Sequence, residues 1–172
     1  MEISFTVIGR PQQRGSKKVG LVPKRGGGYL EKNGRPIVVA RDDNDKSKAW
    51  MDSVKCVCYG LMRNKELLRG PVELRVVFYF KRPEAHYGSG RNADQLKPSA
   101  PSHHAQSPDL DKLVRCLGDA MTGVVYTDDK LICRTTSSRE WTTTTERAEV
   151  TIVELSAVAK PVASSQLGLG LD

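Results

Sequence analysis

The chain has 172 residues, enough for one domain with a sizeable core, and 38% of them are hydrophobic. No apolar run approaches the roughly 20 residues that a membrane-spanning helix requires. The first eight residues lack the basic start and the small-residue cleavage site of a signal peptide. We therefore expect a cytoplasmic protein without a membrane partner.

The formal net charge of +7 is concentrated in one segment near the N-terminus. Residues 10–35 hold eight basic residues against one acid, Glu31, so this segment accounts for the whole excess. The segment is rich in glycine and poor in apolar residues, which is typical of a mobile arm that binds a polyanion. The alternative is a solvated loop. The candidate contacts are Arg10, Arg14, Lys17, Lys18, Lys24 and Arg25.

The first half of the chain is predicted to hold two strands and a helix. Residues 2–8 alternate apolar and polar side chains, and residues 36–40 form a short β-branched run, so both indicate strands. Residues 42–45 are short and polar, and they suit a helix start because they accept hydrogen bonds from its free N–H groups. Apolar residues then recur at helical spacing from Trp50 to Leu61.

The second half is predicted to add three strands and a second helix. The elements are a strand at 71–80, a long polar loop at 82–107, a helix at 109–121, strands at 131–138 and 147–155, and a disordered tail at 156–172. Long loops inside compact domains are often functional. Together these elements predict one α/β or α+β domain over residues 1–155, with a mixed sheet and two main helices.

Acidic residues flank the second predicted helix. Asp109 and Asp111 stand at its start, and Asp128 and Asp129 follow its end. Helix capping would explain the first two, and a turn would explain the second two. A helix of a dozen residues is about 18 Å long. A second protomer, or a strand running back along the helix, would therefore have to bring the two groups together.

Clustered carboxylates on a basic protein also suit a divalent metal held against phosphate. Mg²⁺ takes hard oxygen ligands and needs only one or two carboxylates besides a phosphate. Arg115 lies one helical turn after Asp111 and keeps its charge, so it suits a phosphate contact.

Aromatic and histidine side chains carry weaker expectations. His86, His103 and His104 fall in the long loop, where we expect surface positions. Trp50 and Trp141 are expected in the core or in an interface rather than as platforms for stacked bases.

Taken in order, these residues resemble the RusA family of Holliday junction resolvases. The family opens a helix with Asp-Leu/Ile-Asp-Asn/Lys-Leu, closes it with Asp-Ala-Leu/Met, and follows it with a glycine and an Asp-Asp pair. The corresponding residues here are 108–113, 119–121, Gly123 and the pair Asp128-Asp129. The specific match covers residues 107–133, and the strand pattern extends it loosely over residues 2–155.

The resemblance implies an endonuclease that binds four-way DNA junctions as a homodimer and cuts two opposed strands symmetrically during recombination and repair. It implies Mg²⁺ as cofactor, for which Mn²⁺ can substitute, with Asp109, Asp111 and Asp129 as catalytic metal ligands. Arg115 stands where the family has an essential lysine. Such proteins are common in phages and prophages. The DNA contacts are expected from Lys112 and from the basic candidates of residues 10–35.

Two alternatives remain open at this point. One is a non-catalytic protein that binds branched DNA, in which the acids only cap helices. The other is a Mg²⁺-dependent nuclease for branched DNA other than four-way junctions.

Overall fold

The computed structural model describes residues 1–15, 17–42 and 46–156. The side chains of residues 17, 18 and 40–42 lie outside this description. Two predictions also fall outside it, namely the capping acids at 43–45 and the tail beyond residue 156.

Eight strands and two α-helices form within the described residues, which confirms the predicted α+β class. The strands are β1 Glu2–Ile8, β2 Lys17–Leu21, β3 Glu31–Lys32, β4 Arg35–Pro36, β5 Val38–Asp42, β6 Val72–Lys81, β7 Ile132–Thr142 and β8 Arg147–Glu154. The helices are α1 Lys46–Met62 and α2 Leu110–Met121. Short 3-10 helices occupy Glu84–His86, Gly90–Asn92 and Asp129–Leu131.

Four strands form the main sheet, in the order β1-β8-β6-β7. β6 runs antiparallel to β8 and parallel to β7, so the sheet is mixed, as predicted. The parallel pair requires a long crossover, and α2 lies within this connection. This crossover places α2 beside β7, which is the edge strand next to the candidate site.

The core lies between this sheet and the two helices. β6 buries one complete face because its apolar residues alternate, and Phe78 and Leu74 are fully inaccessible to solvent. α1 contributes Trp50 and Val54, and α2 contributes Leu117 and its apolar neighbours. The helices also contact each other, so a single apolar layer fixes the position of α2.

The basic segment at residues 10–35 contains β-structure, which the sequence did not predict. β2 pairs with β5, and the two-residue strands β3 and β4 pair with each other. β2 is hard to detect because the described apolar residues on one face of this ladder are exposed: Val19 is 71% exposed and Val38 is 57% exposed. Alternation of apolar and polar residues reveals a strand because one face of the strand is buried. A strand with an exposed apolar face need not show this alternation.

The loop at residues 82–107 is held by its own hydrogen bonds. The backbone N–H of Lys97 donates to the carbonyl of His86 over 2.9 Å, and that of Gly88 donates to Gln95. The Arg82 guanidinium donates to the Pro101 carbonyl over 2.8 Å. The loop therefore forms an ordered wall beside the C-terminal ends of β6 and β7.

None of the helices within the described ranges is long and apolar enough to cross a membrane.

Candidate active site

Asp109 occupies the N-cap position of α2, but its side chain does not cap the helix. Its backbone is extended, and its carbonyl accepts the hydrogen bond from the N–H of Leu113 over 3.0 Å. The carboxylate instead pairs with the Lys112 ammonium over 2.8 Å. Capping therefore does not account for this carboxylate, which is 53% exposed.

The charges around Asp109 keep its carboxylate ionised. The hydrogen bond and the charge of Lys112 lower the pKa of Asp109, and the more distant Arg139 guanidinium lowers it further. An ionised carboxylate near neutral pH is the form that a hard cation binds.

Residues near the N-terminus hold the start of α2. The backbone N–H of Asp109 donates to Oε1 of Gln13 over 2.6 Å. The backbone N–H of Arg14 donates to the carbonyl of Lys112 over 3.0 Å. The segment that follows β1 thus fixes both members of the Asp109–Lys112 pair.

A second anchor comes from β7. The guanidinium of Arg139 donates to the carbonyl of Gln106 over 2.6 Å and to that of Pro108 over 2.7 Å. Both acceptors lie within the three residues before Asp109, and the Ser107–Pro108 peptide bond in this stretch is cis. Arg139 therefore joins the edge of the sheet to the residues that lead into the helix.

Asp111 and Arg115 lie on the exposed side of α2, one turn apart. Asp119 follows one turn later and is partly buried. Arg14, expected as a DNA contact, has its Nε 3.4 Å from a carboxylate oxygen of Asp119 and its Nη1 3.0 Å from the sulfur of Met51. Its guanidinium therefore packs against the helices.

The two aspartates after α2 have different environments. Asp128 caps the following 3-10 helix by accepting from the N–H of Lys130 over 3.0 Å, and it also pairs with the Lys130 ammonium over 3.1 Å. These two interactions lower the pKa of Asp128. The turn interpretation thus applies to Asp128. Asp129 is the first residue of the 3-10 helix and is exposed.

A buried tyrosine fixes this turn against α2. The hydroxyl of Tyr126 donates to the carbonyl of Gly118 over 3.0 Å, and burial raises the pKa of Tyr126. The N–H of Gly123 donates to the Tyr126 carbonyl over 2.8 Å. Gly123 has a φ of +75°, which glycine adopts without strain. The chain therefore reverses tightly and leaves Asp129 at the C-terminal end of α2.

Asp109 and Asp129 lie at opposite ends of one layer. Arg139 places the middle of β7 beside the start of α2, whereas β7 begins directly after Leu131. β7 does run back along α2. Asp129 precedes β7 in the chain, however, so it remains at the C-terminal end of α2. Among residues 1–15, 17–42 and 46–156, no three histidine, cysteine, aspartate or glutamate side chains lie close enough to hold a metal ion.

The donor chemistry nevertheless suits Mg²⁺. Asp109 and Asp111 supply carboxylate oxygen donors at one end of α2, and Asp129 supplies another at the far end. The chain thus offers the right ligand types in two separate places.

The remaining basic candidates lie around the β2–β5 region. Arg10 is 63% exposed, with its Nε 3.9 Å from a Glu146 oxygen. Lys24 and Arg25 are exposed in the turn that leads to β3. The side chains of Lys17 and Lys18 lie outside the described residues.

The prediction of a surface position for His104 is wrong. His104 is 6% exposed, and its ring lies 4.6 Å from Phe80 and 4.3 Å from Trp141, centroid to centroid. Burial lowers the pKa of His104. The apolar surroundings come from two strands distant in sequence, so a polar loop sequence does not reveal them.

Gln13 and Arg139 were also missed as supports of the site. Gln13 has no sequence pattern to mark it. Arg139 has one: it stands opposite Phe78 in the β6–β7 register, in the row of β7 that faces the helices. A cation in an inward-facing row requires polar partners. Correct pairing of β7 with β6 would therefore have predicted that Arg139 has such partners.

A comparison with protein-family models matches the family described as Endodeoxyribonuclease RusA over residues 29–153. A comparison with curated proteins finds no match. The family match includes both helices, both aspartate groups and three strands of the main sheet, whereas Arg10 and Gln13 lie outside it. Because the match covers most of the chain, the protein belongs to the endodeoxyribonuclease RusA family, which acts on junction DNA.

Proposed function

We propose that this protein is a Mg²⁺-dependent homodimeric endonuclease that cuts two opposed strands of a four-way DNA junction. The observation that carries the proposal is the state of Asp109. Its carboxylate is ionised, exposed and not used for capping, although its backbone is anchored from two sides. A protein that only binds DNA gains nothing from an acid held in this way against phosphate.

Asp109, Asp111 and Asp129 would hold the Mg²⁺. When bound, the ion orients a water molecule and stabilises the leaving oxygen in phosphodiester hydrolysis. Lys112 fixes the carboxylate of Asp109, and its charge offsets part of the repulsion between carboxylates and phosphate. Arg115 lies one turn from Asp111. Its guanidinium remains positively charged and would contact the phosphate.

A dimer would account for the separation of Asp109 and Asp111, at one end of α2, from Asp129 at the other end. A two-fold axis across the layer of α2 and β7 would place the Asp129 end of one protomer at the Asp109 end of the other. Each of the two sites would then take Asp109 and Asp111 from one chain and Asp129 from its partner. A junction presents two related scissile phosphates, and a two-fold dimer presents two identical sites.

Mixed dimers test this arrangement. Two differently tagged chains, one Asp109→Asn and one Asp129→Asn, are co-expressed, and the mixed dimer is isolated through both tags. With shared sites, one site carries both substitutions and the other is intact, so the mixed dimer should nick one strand. If each chain builds its own site, both sites are damaged and no nicking is observed.

A second mixed dimer is the matched control. When Asp109→Asn is combined with Asp111→Asn, both residues belong to the same half, so each shared site loses one ligand. This dimer should be inactive. Activity in it would contradict the proposed assignment of the ligands.

Substrate preference tests the activity itself. The wild-type protein is incubated with a synthetic four-way junction, a duplex and a flap, in Mg²⁺ and in EDTA. Paired, symmetric nicks in the junction that require Mg²⁺ are expected. Preferred cutting of the flap would indicate a nuclease for other branched DNA, and binding without cutting in any divalent metal would indicate a structure-specific binding protein.

A further inference from the structure

A pocket of about 350 Å³ opens beside the start of α2, between the ends of β6 and β7 and the loop at residues 82–107. Its floor is aromatic, formed by Phe80, His104 and Trp141. Its rim carries Arg10 and Arg82. Nothing in the catalytic arrangement above uses these side chains.

The aromatic floor contains polar ring atoms that are not satisfied. Nε1 of Trp141, Nδ1 of His104 and Nδ1 of the neighbouring His86 are buried and have no hydrogen-bond partner in the described part of the chain. The His86 ring lies 5.3 Å from that of Trp141. Buried polar atoms without partners are rare and indicate that a polar group is missing from their surroundings.

The rim complements a phosphate group. The guanidinium carbon of Arg82 lies 5.1 Å from the centre of the Trp141 ring, so a cation and an aromatic face are presented together. Arg10 is largely exposed, with its Nε 3.9 Å from an oxygen of Glu146, one of the two acids of the lining besides Glu84. An aromatic surface beside cations is the arrangement that binds an unpaired nucleotide, through stacking on the base and charge on the phosphate.

The pocket adjoins the catalytic aspartates. Gln106 and Ser107 form part of its wall, and Arg139 holds the carbonyl of Gln106. Ser107 is two residues before Asp109, which limits the separation of their Cα atoms to about 7 Å. A nucleotide in the pocket would thus be within one or two steps of a phosphate at Asp109.

We propose that this pocket receives one unstacked nucleotide from the crossover of the junction, with its base against Trp141 and its phosphate between Arg10 and Arg82. The proposal rests on the proposed function, because it takes the substrate to be a junction. Strand exchange interrupts base stacking at the crossover, so moving a base out costs less there than in a continuous duplex. The pocket would then select the base beside the cut.

Tryptophan fluorescence tests the occupancy of the pocket. The chain has two tryptophans, and Trp50 is only 4% exposed in the core, so quenching on DNA binding reports mainly on Trp141. The full chain carrying Asp109→Asn is titrated with junctions that have an abasic site at successive positions near the crossover. One position should abolish the quenching while the junction still binds. Equal quenching with every junction would overturn the proposal.

Substitutions give an independent readout in cleavage. Trp141→Leu should weaken junction binding roughly 10-fold, as expected for the loss of one stacked base, and should relax the sequence preference at the cut. Tyr59→Leu removes a 62% exposed aromatic residue from α1 and should change neither property. Unchanged affinity and unchanged cutting positions in Trp141→Leu would refute the pocket.

A second variant covers the case in which Trp141→Leu does not fold, as judged by circular dichroism and thermal melting. Arg82→Gln removes a cation from the rim and keeps the aromatic floor, and it should also weaken binding several-fold. Arg91→Gln, at an exposed arginine of the same loop, is its control. Suppose that the wild-type protein cuts the junction, but abasic sites and the Arg82→Gln substitution have no effect. That result would overturn the pocket proposal alone. If the wild-type protein does not bind the junction, the proposed function is overturned as well.

Discussion

The ammonium of Lys112 lies 2.8 Å from the carboxylate of Asp109, three residues earlier in the chain. This pair forms at the first turn of α2, where the helix dipole also favours negative charge. Lys112 was expected to contact DNA, and the structure places it on the aspartate that we assign to the metal. The pair therefore links the charge state of Asp109 to the metal-binding role that we propose for it.

Removal of one metal ligand should separate binding from chemistry. Loss of a residue that hydrogen-bonds to a metal ligand typically costs roughly 10- to 100-fold in activity. Asp109→Asn removes a proposed ligand itself, so we expect a larger loss of junction cleavage. Junction affinity should be unchanged or higher, because a negative charge near phosphate is lost. Single-turnover cleavage and gel-shift assays measure the two effects. Asp52→Asn on α1 is the control, and loss of affinity in folded Asp109→Asn would contradict the assignment.

Lys112→Met should raise the pKa of Asp109 towards its ordinary value. In the wild-type protein this pKa is depressed, so the stabilisation it provides is present above the ordinary pKa and is lost as the pH falls through the depressed value. NMR titration of the carboxyl carbon measures the shift. Lys130→Met, which removes the partner of Asp128 instead, should leave the titration of Asp109 unchanged.

Loss of Arg139 should impair catalysis more than stability. Arg139→Gln removes two hydrogen bonds to the carbonyls before Asp109, so we expect turnover at saturating DNA to fall roughly 10- to 100-fold. Arg139→Lys should restore part of the turnover, because both bonds come from the single nitrogen Nη1 and an ammonium also carries several N–H donors. Arg134→Gln on the same strand, which loses a pair with Glu73, should retain turnover. Full turnover in Arg139→Gln would show that the anchor is dispensable.

The basic segment should act through the phosphate backbone. Replacing Lys17 and Lys18 by alanine should weaken junction binding and reduce the slope of log K against log salt by about 0.9 per lost contact. Cleavage at saturating protein should be unaffected. The matched pair is Arg63→Ala with Lys65→Ala, both exposed near the end of α1. An unchanged slope would mean that Lys17 and Lys18 do not contact the DNA backbone.

Tyr126→Phe should lower the free energy of unfolding by about 1 kcal/mol, because the Gly118 carbonyl loses the Tyr126 hydroxyl and keeps only the donors of Thr122. Urea denaturation measures this difference. Tyr59→Phe, at an exposed tyrosine, should have little effect. Equal stabilities would show that Tyr126 holds the turn by packing alone.

The parts of the fold that the sequence predicts are those with one buried face. The alternation of β6 and the apolar stripe of α2 both survive in the structure, because burial imposes those periods. β5 overlaps the strand predicted at residues 36–40, whereas its partner β2 was not predicted, because its apolar residues Val19 and Leu21 remain exposed.

The candidate site was partly predictable in a similar sense. Asp109 and Asp129 are marked by their order along the chain, and the predicted length of α2 shows that a second protomer, or a strand running back along the helix, would have to bring them together. The supports Gln13 and Arg139 depend on contacts across 96 and 31 residues of chain. No local pattern encodes contacts at such separations.

The bond between Gln13 and Asp109 has a mechanical consequence. Gln13 lies in the basic segment of residues 10–35, between β1, which is fixed in the main sheet, and β2. If this segment binds DNA as we expect, a pull on it would reach residue 13 before it reaches the main sheet. Binding of the substrate and orientation of Asp109, which we propose as a metal ligand, would then be coupled through one hydrogen bond, so a junction held in the wrong geometry would misalign Asp109.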